Sequence, residues 1–536
     1  MVPRWRPFEA ALALGELAPL TSGSPTDSNA AELLAKAKLE AQAAGSAHVS
    51  ADLLSAGVAL GRPSAVVEEA AAILEPLAAL PEAIPAGLSR VTRRILGIEE
   101  RPWHEELMKA RDPAAAQIAI RQQLGKLKKR RILDPRNGFT WADMALLFET
   151  LGQPHAADRA METAHAIYPN HRHILRSFSR MLIHRGDYER AQQVLLNSPR
   201  LRSDPWLIAA EISTADILGK TSSHASRALR SLRNNEYSPF HATELAAAMG
   251  TLELQSGDFK RGIKLFRKSA ESPTENAVAQ ASWIERVFKI SLHAEGPRPL
   301  QLTSPEAIAM EAVGRQDVPM ALAGSFDWLR DQPFSSRPAA LASFLLLYTD
   351  RFEASAAITQ FALQANPNDA TLQNNHAFAL ASQNKLERAR KQIALIRTDD
   401  LDLNTASVLA ATKGFIEYRS GEIALGQDLY HAAVLGLVKS GNRDSAITAA
   451  LHWILEEVRL GRPGSRAAAE KVLKMSENSR DLRVKKLSSE MNDWLQRLPA
   501  VAAEVHGALQ DPTASALIAV SAVPQPPEEQ NKVIAM

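Results

Sequence analysis

The chain has 536 residues, 46% of them hydrophobic and only 5% aromatic, with 62 basic side chains against 60 acidic ones and a net charge of +2. So even a balance excludes wholesale electrostatic binding of nucleic acid and leaves only local patches open. The absence of cysteine excludes disulfides, thiol nucleophiles and cysteine-ligated zinc, and fits a reducing compartment.

At this length a single compact core is overextended, whereas stacked repeats that bury their faces on one another escape the limit. Residues 1–20 are expected to form one short helix, closed by the polar loop "TSGSPTDSN". Glu9 and Glu16 interrupt its apolar run, which argues against a secretory signal. No stretch approaches the roughly 20 apolar residues of a membrane span. The expected partners therefore do not include a membrane, and a cytoplasmic setting is the default. Ala-rich helical patterns follow at about 29–44, 50–60 and 63–80, the last two joined by a turn at Gly61–Pro63. That pair has the outline of a worn repeat or of a helix-turn-helix DNA reader. Glu68 and Glu69, however, make the second helix acidic where phosphate contact needs basic residues. A linker near Pro81–Pro85 leads into two more helices, the second ending in the basic run Lys126, Lys128, Lys129, Arg130 and Arg131. The expected N-terminal helical region spans 1–136.

From there a motif recurs every 34 residues. Trp141, Ala145, Phe148, Gly152, Ala157, Met161 and Ala164 are followed, at that offset, by Leu175, Ser179, Leu182, Gly186, Ala191, Leu195 and Ser198. Bulky, small, bulky, turn, small, bulky, small at this period describes one helical hairpin. Small residues let two helices approach, large ones fill the space beside them, Gly makes the turn, and Pro169 ends the second helix. In these residues the chain resembles the tetratricopeptide-repeat (TPR) superfamily. The resemblance implies an all-α solenoid of stacked antiparallel helix pairs. It also implies a non-enzymatic scaffold or adaptor whose concave groove, lined by the first helix of each pair, holds a protein segment.

The pattern supports TPR-like arrays at 137–275 and 336–440, separated by an irregular helical insert at 276–335. Capping helices are expected at 441–507 and a disordered tail at 508–536. The loop of the insert is placed at "HAEGPRPLQLTSPE". Stability should be spread along such a chain, with 276–335 the weak point.

Motifs for chemistry are weak. "ILGKTS" at Ile217–Ser222 resembles the end of a phosphate-binding loop, but Thr214 stands where a small flexible residue is needed, and the preceding stretch is helical. His165, His171, His173 and His184 lack metal-ligand spacing, and no Ser–His–acid set has a local signature. The expectation is no cofactor, no metal and no catalysis. An enzyme with residues assembled from the irregular regions stays open.

Two candidate ligand surfaces remain. On 172–185, Ile174, Leu175, Phe178, Met181 and Leu182 form an apolar face, and His173, Arg176, Ser177, Arg180 and His184 form the other. By the TPR resemblance that polar face lines the groove. There Arg176 and Arg180 would grip an acidic partner, unless they meet water or an acid of the chain itself. Exposure of this face implies that Arg176→Ala leaves stability nearly unchanged. In the second array the corresponding slots hold Arg337, Phe344 and Tyr348, then Asn374, Asn375 and Phe378, then Phe415, Tyr418 and Arg419. Side-chain amides with aromatics suit a peptide. Asn375 matches a slot where TPR domains carry a peptide-binding Asn. The alternative is a nucleic-acid-associated regulator using the arginine stripe and the 126–131 run, although that run lacks interleaved aromatics for base stacking.

Overall fold

The computed structural model describes residues 2–8, 11, 113–133, 135–292, 304–399, 401–497, 516, 517, 519 and 520. Residues 9, 10 and 12–20 of the expected first helix, the expected helices at 29–80, the 81–112 stretch and the loop at 293–303 lie outside the described residues. The chain divides into two compact units, with the boundary between Ser335 and Ser336.

All regular structure among the described residues is helical, arranged as a succession of paired helices. Unit 1 contains α1 (Pro113–Leu133), α2 (Gly138–Thr150), α3 (Pro154–Ile167), α4 (Arg172–His184), α5 (Tyr188–Leu196), α6 (Pro205–Ile217) and α7 (Ala225–Arg233). It continues with α8 (Pro239–Gln255), α9 (Phe259–Ser269), α10 (Glu275–Phe288), α11 (Pro305–Gly314) and α12 (Val318–Asp331). Helices pack in sequential pairs such as α2 on α3, α8 on α9 and α11 on α12, and α2, α4, α6, α8 and α10 also touch in series. That series is the first-helix face of the unit.

The local causes are visible in the turns. Gly186 (φ 77°) and Gly257 (φ 91°) adopt the left-handed conformation that closes one helix. Asp187 and Asp258 follow at once and cap the next, accepting the backbone N–H of Arg190 and Arg261. Close approach needs small residues: a Cβ on Gly250 would lie 2.8 Å from the Phe266 ring, and one on Gly262 would lie 2.5 Å from Leu254. Ala145, Ala157 and Ala191 are fully buried at the equivalent crossings.

Within the stretch read as irregular, α11 and α12 form a hairpin of the same kind. Ala309 and Ala321 are fully buried, and Gly324 lies against the Ala309 backbone. Its turn is made by Gln316 (φ 60°) in the left-handed conformation, the position that Asp350 (φ 56°) and Asn384 (φ 59°) take in the hairpins of unit 2.

Unit 2 contains α13 (Ser336–Tyr348), α14 (Phe352–Ala365), α15 (Ala370–Ser382), α16 (Leu386–Ala394), α17 (Leu403–Arg419), α18 (Ile423–Lys439), α19 (Arg443–Arg459), α20 (Ser465–Ser476) and α21 (Leu482–Arg497). Here α13, α15, α17, α19 and α21 touch in series, and α21 reaches back to α13. Trp453, Tyr430, Leu451 and Ile454 anchor a continuous core. Of the tail expected to be disordered, Ala516, Leu517 and Val520 are helical and buried in this core. They are apolar residues at helical spacing, and burying them outweighs their low-complexity surroundings.

Residues 2–7 are not helical. Of the helix expected over 1–20, Phe8 and Ala11 are helical, with the Ala11 N–H donating to Pro7 O at 3.1 Å, while residues 9, 10 and 12–20 lie outside the described residues. The later start is caused by Pro3 and Pro7. Proline lacks the N–H that a helix interior needs and disfavours helical geometry in the residue before it.

Candidate binding surfaces

In unit 1 the segment Val2–Phe8, non-helical up to Pro7, lies among α2, α4 and α10 to α12. Arg4, Trp5, Arg6 and Phe8 are all buried, Trp5 completely. The Arg4 guanidinium donates through Nη1 to Asp331 Oδ2 at 2.7 Å, and through Nη2 to Ser304 Oγ at 3.0 Å and Glu306 Oε2 at 3.2 Å. Arg6 donates through Nε to Asp331 Oδ1 at 2.7 Å and through Nη2 to Glu275. One carboxylate thus takes both arginines. Burial alone would raise the Asp331 pKa, but Arg6 and Arg4 together hold it well below the usual carboxylate range.

The aromatics alternate with these charges. Trp5 packs on Phe334 with ring centres 5.2 Å apart. Phe334 in turn receives the Arg180 guanidinium at 5.0 Å and the edge of His184 at 5.1 Å. Phe8 stacks on Phe139 at 3.8 Å and meets the His173 ring at 5.9 Å. Its backbone N–H donates to Asp143 Oδ1 at 2.8 Å. Burial lifts the Asp143 carboxyl to about 7, against the opposing pull of that N–H and of Arg130.

Three of the residues proposed on α4, His173, Arg180 and His184, therefore gather around this segment, directly or through Phe334. Arg176 lies differently from the expectation. It is 4% exposed and donates to Glu244 Oε2 at 2.7 Å, with its guanidinium 4.7 Å above the Trp206 ring. Of the three environments open to it, an acid of its own chain is the one realised. His173 is also buried, and burial, with His171 and Arg176 nearby, lowers its pKa to about 3, so it is neutral at pH 7. The polar face of α4 is thus an internal face. A helical wheel shows polarity opposite the core but cannot show that Glu244, 68 residues on, arrives to cover it. Next to Arg176, Arg172 makes a second buried pair with Asp204 at 2.7 Å.

The basic run sits at the end of α1. Lys126, Lys128 and Lys129 are exposed, while Arg131 rests over Trp141 at 5.1 Å and Lys128 over Phe148 at 5.5 Å. Among the described residues no group of three His, Asp or Glu side chains could hold a metal ion, and no helix is long and apolar enough to cross a membrane.

In unit 2 the aromatic and amide residues do share a face. Phe378 stacks on Phe415 at 4.9 Å, with His452 at 5.5 Å from the former. Burial, with Arg459, Lys486, Arg483 and Arg419 around it, lowers His452 to about 3. Asn375 donates to Ser343 Oγ at 2.9 Å, and the buried Oδ1 of neighbouring Asn374 accepts no hydrogen bond. Arg419 clasps Glu456 through two bonds of 2.8 Å and lies over Phe415. Phe344 and Tyr348 are partly buried beneath α21: Arg483 stands 6.0 Å from the first ring and Lys486 stands 5.8 Å from the second.

No protein-family model matches the chain, and no curated protein matches its sequence. Solved structures do. Human IFIT1, solved as a dimer with PPP-AAAA, is 15% identical, covers 73% of this chain and 89% of its own length, and has a TM-score of 0.28. The P58(IPK) TPR domain is 11% identical over 73% of this chain and 98% of its own, with a TM-score of 0.22. The Naa15/Naa10 structure bound to HypK-THB is 14% identical over 86% of this chain and 84% of its own, with a TM-score of 0.22. Similarity of this order carries no argument about what this chain binds.

Proposed function

We propose that the protein is a non-enzymatic interaction scaffold that holds a protein segment along the first-helix faces of its two units. The observation that supports this reading is Val2–Phe8 in unit 1. A non-helical stretch of polypeptide already lies against that face, with its side chains buried and its charges paired. Extended peptides are held in grooves in this manner, with pockets for alternating side chains and polar groups fixing the register. His173, Arg180 and His184 serve as groove residues of unit 1, with Arg176 bracing the wall through Glu244. Phe344, Tyr348, Asn374, Asn375, Phe378 and Arg419 serve unit 2. A cysteine-free composition suits a cytoplasmic setting. The acids Asp331, Glu306 and Glu275 disfavour nucleic acid at the unit 1 face, so the exposed lysines of α1 carry that runner-up reading.

Site-specific photo-crosslinking in the full chain tests the scaffold reading. A crosslinker at Tyr348 or Arg180 should yield protein adducts, and one at the exposed Leu196 or Leu395 should not. Adducts confined to Leu196 and Leu395 would move binding to the opposite surface. Adducts to RNA or DNA would favour the runner-up.

A further inference from the structure

The scaffold reading leaves open which segment unit 1 accepts. We propose that its groove selects an extended protein segment carrying two arginines on either side of an aromatic residue, and that Val2–Phe8 is a resident competitor for such a guest. The inference rests on the scaffold reading and on three observations.

First, the groove chemistry is specific. Asp331 receives both arginines, Glu306 and Ser304 complete the cradle for Arg4, and Glu275 completes that for Arg6. Arginine presents a planar fork suited to such multiple carboxylate contacts, which a lysine cannot reproduce. Second, the residue between the two arginines is buried on Phe334, and Pro3 and Pro7 restrict the backbone on either side of it, which lowers the entropy lost on binding. Third, the resident segment fits imperfectly. Trp5 Nε1 and the Nε2 of His173, whose ring meets Phe8 at 5.9 Å, are buried without hydrogen-bond partners. Buried unpaired polar groups carry a desolvation penalty that a guest with an acceptor at this place would relieve. A tethered segment that fits less well than a guest behaves as a competitor of high effective concentration and can be displaced.

The test uses the full chain and a fluorescein-labelled peptide, Val-Pro-Arg-Trp-Arg-Pro-Phe, followed by anisotropy. The double variant Arg4→Glu/Arg6→Glu should release the resident segment and bind the probe at least roughly tenfold more tightly than the unmodified chain, as loss of a tethered competitor requires. Adding Asp331→Asn should abolish most of that gain. A second variant, Trp5→Ala/Phe8→Ala, weakens the resident segment without changing any charge and should shift affinity in the same direction. Equal affinity for the unmodified chain and both released variants, each folded by circular dichroism, would overturn the competitor. If a probe with both arginines replaced by Gln binds the released groove as well as the original, arginine selection fails while the scaffold reading survives. No binding of either probe would overturn the inference, and the crosslinking at Arg180 would then decide the scaffold reading separately.

Discussion

The two units cover their first-helix faces by different means. In unit 1 the cover is a non-helical segment whose arginines are buried against carboxylates brought from α10, α11 and α12. In unit 2 it is a helix, α21, the last of the series and packed into the core through Val484, Leu487 and Met491, whose Arg483 and Lys486 lie over the partly buried rings of Phe344 and Tyr348. A buried ion pair loses most of its hydration, so removing one partner strands the other at high cost, whereas cations over partly exposed rings contribute little and exchange easily with water. On the proposed scaffold reading, the difference makes unit 1 the place where occupancy would be tight and chemically selective. Unit 2 presents a softer aromatic and amide surface.

The largest effect that would sharpen this contrast is at the wall of unit 1. Arg176→Ala leaves Glu244 buried and unpaired and should destabilise the unit by about 3–5 kcal/mol, whereas Arg419→Ala in unit 2, a pair open to solvent at one side, should cost only about 1 kcal/mol or less. Urea unfolding followed by hydrogen exchange in each unit measures both, and a larger loss for Arg419→Ala would reverse the comparison. The replacement Arg176→Met tests the same point from the other side, since an apolar side chain of similar length still strands Glu244 and should rescue little.

Acid should separate the units next. His376 and His452 in unit 2 are lowered to about 4 and about 3, chiefly by burial. A base with a depressed folded pKa contributes stability present above its unfolded value near 6.5, and that stability is lost as pH falls through the window down to 3–4. In unit 1, His171 and His173 behave alike, at about 4 and about 3. Asp143, raised from 3.8 to about 7, works in the opposite sense: its contribution is present below 3.8 and lost as pH rises through 7. Between pH 7 and pH 4, unit 2 should therefore lose protection more steeply than unit 1, and Asp143→Asn should remove the offset. Parallel pH profiles in hydrogen exchange, before and after that substitution, would rule the account out.

A smaller effect belongs to the crossings common to both units. Ala157→Leu should overpack the α2–α3 contact and cost about 1–3 kcal/mol, with Gly426→Ala doing the same against Tyr418 in unit 2. The smallest is at the cover of unit 2. Lys486→Ala should change global stability by under about 1 kcal/mol yet raise exchange in α21, since its contacts are an exposed pair with Asp350 and the Tyr348 ring. A cooperative loss of all unit 2 protection would mean that the Lys486 contacts hold more than α21 itself.

The helix pairs were legible in the sequence because each is a local object. Ala145, Gly152 and Ala157 specify a close crossing and its turn within a dozen or so residues, and a 34-residue period repeats the specification. The α11–α12 hairpin, with Ala309, Ala321 and Gly324 at its crossing, lies in the stretch read as irregular, although its non-glycine turn at Gln316 resembles those at Asp350 and Asn384 in copies that were legible. The polar face of α4 was also readable, and on it His173 meets Phe8 while Arg180 and His184 meet Phe334. What covers that face was not. Glu244 meets Arg176 across 68 positions and Asp331 meets Arg6 across 325, distances over which periodicity carries no information. Pro3 and Pro7 could have warned that residues 2–7 are not helical, since proline rejects a helix from sequence alone. Only the tertiary structure decided where that segment goes, because buried arginines require carboxylates that the folded stack alone brings together.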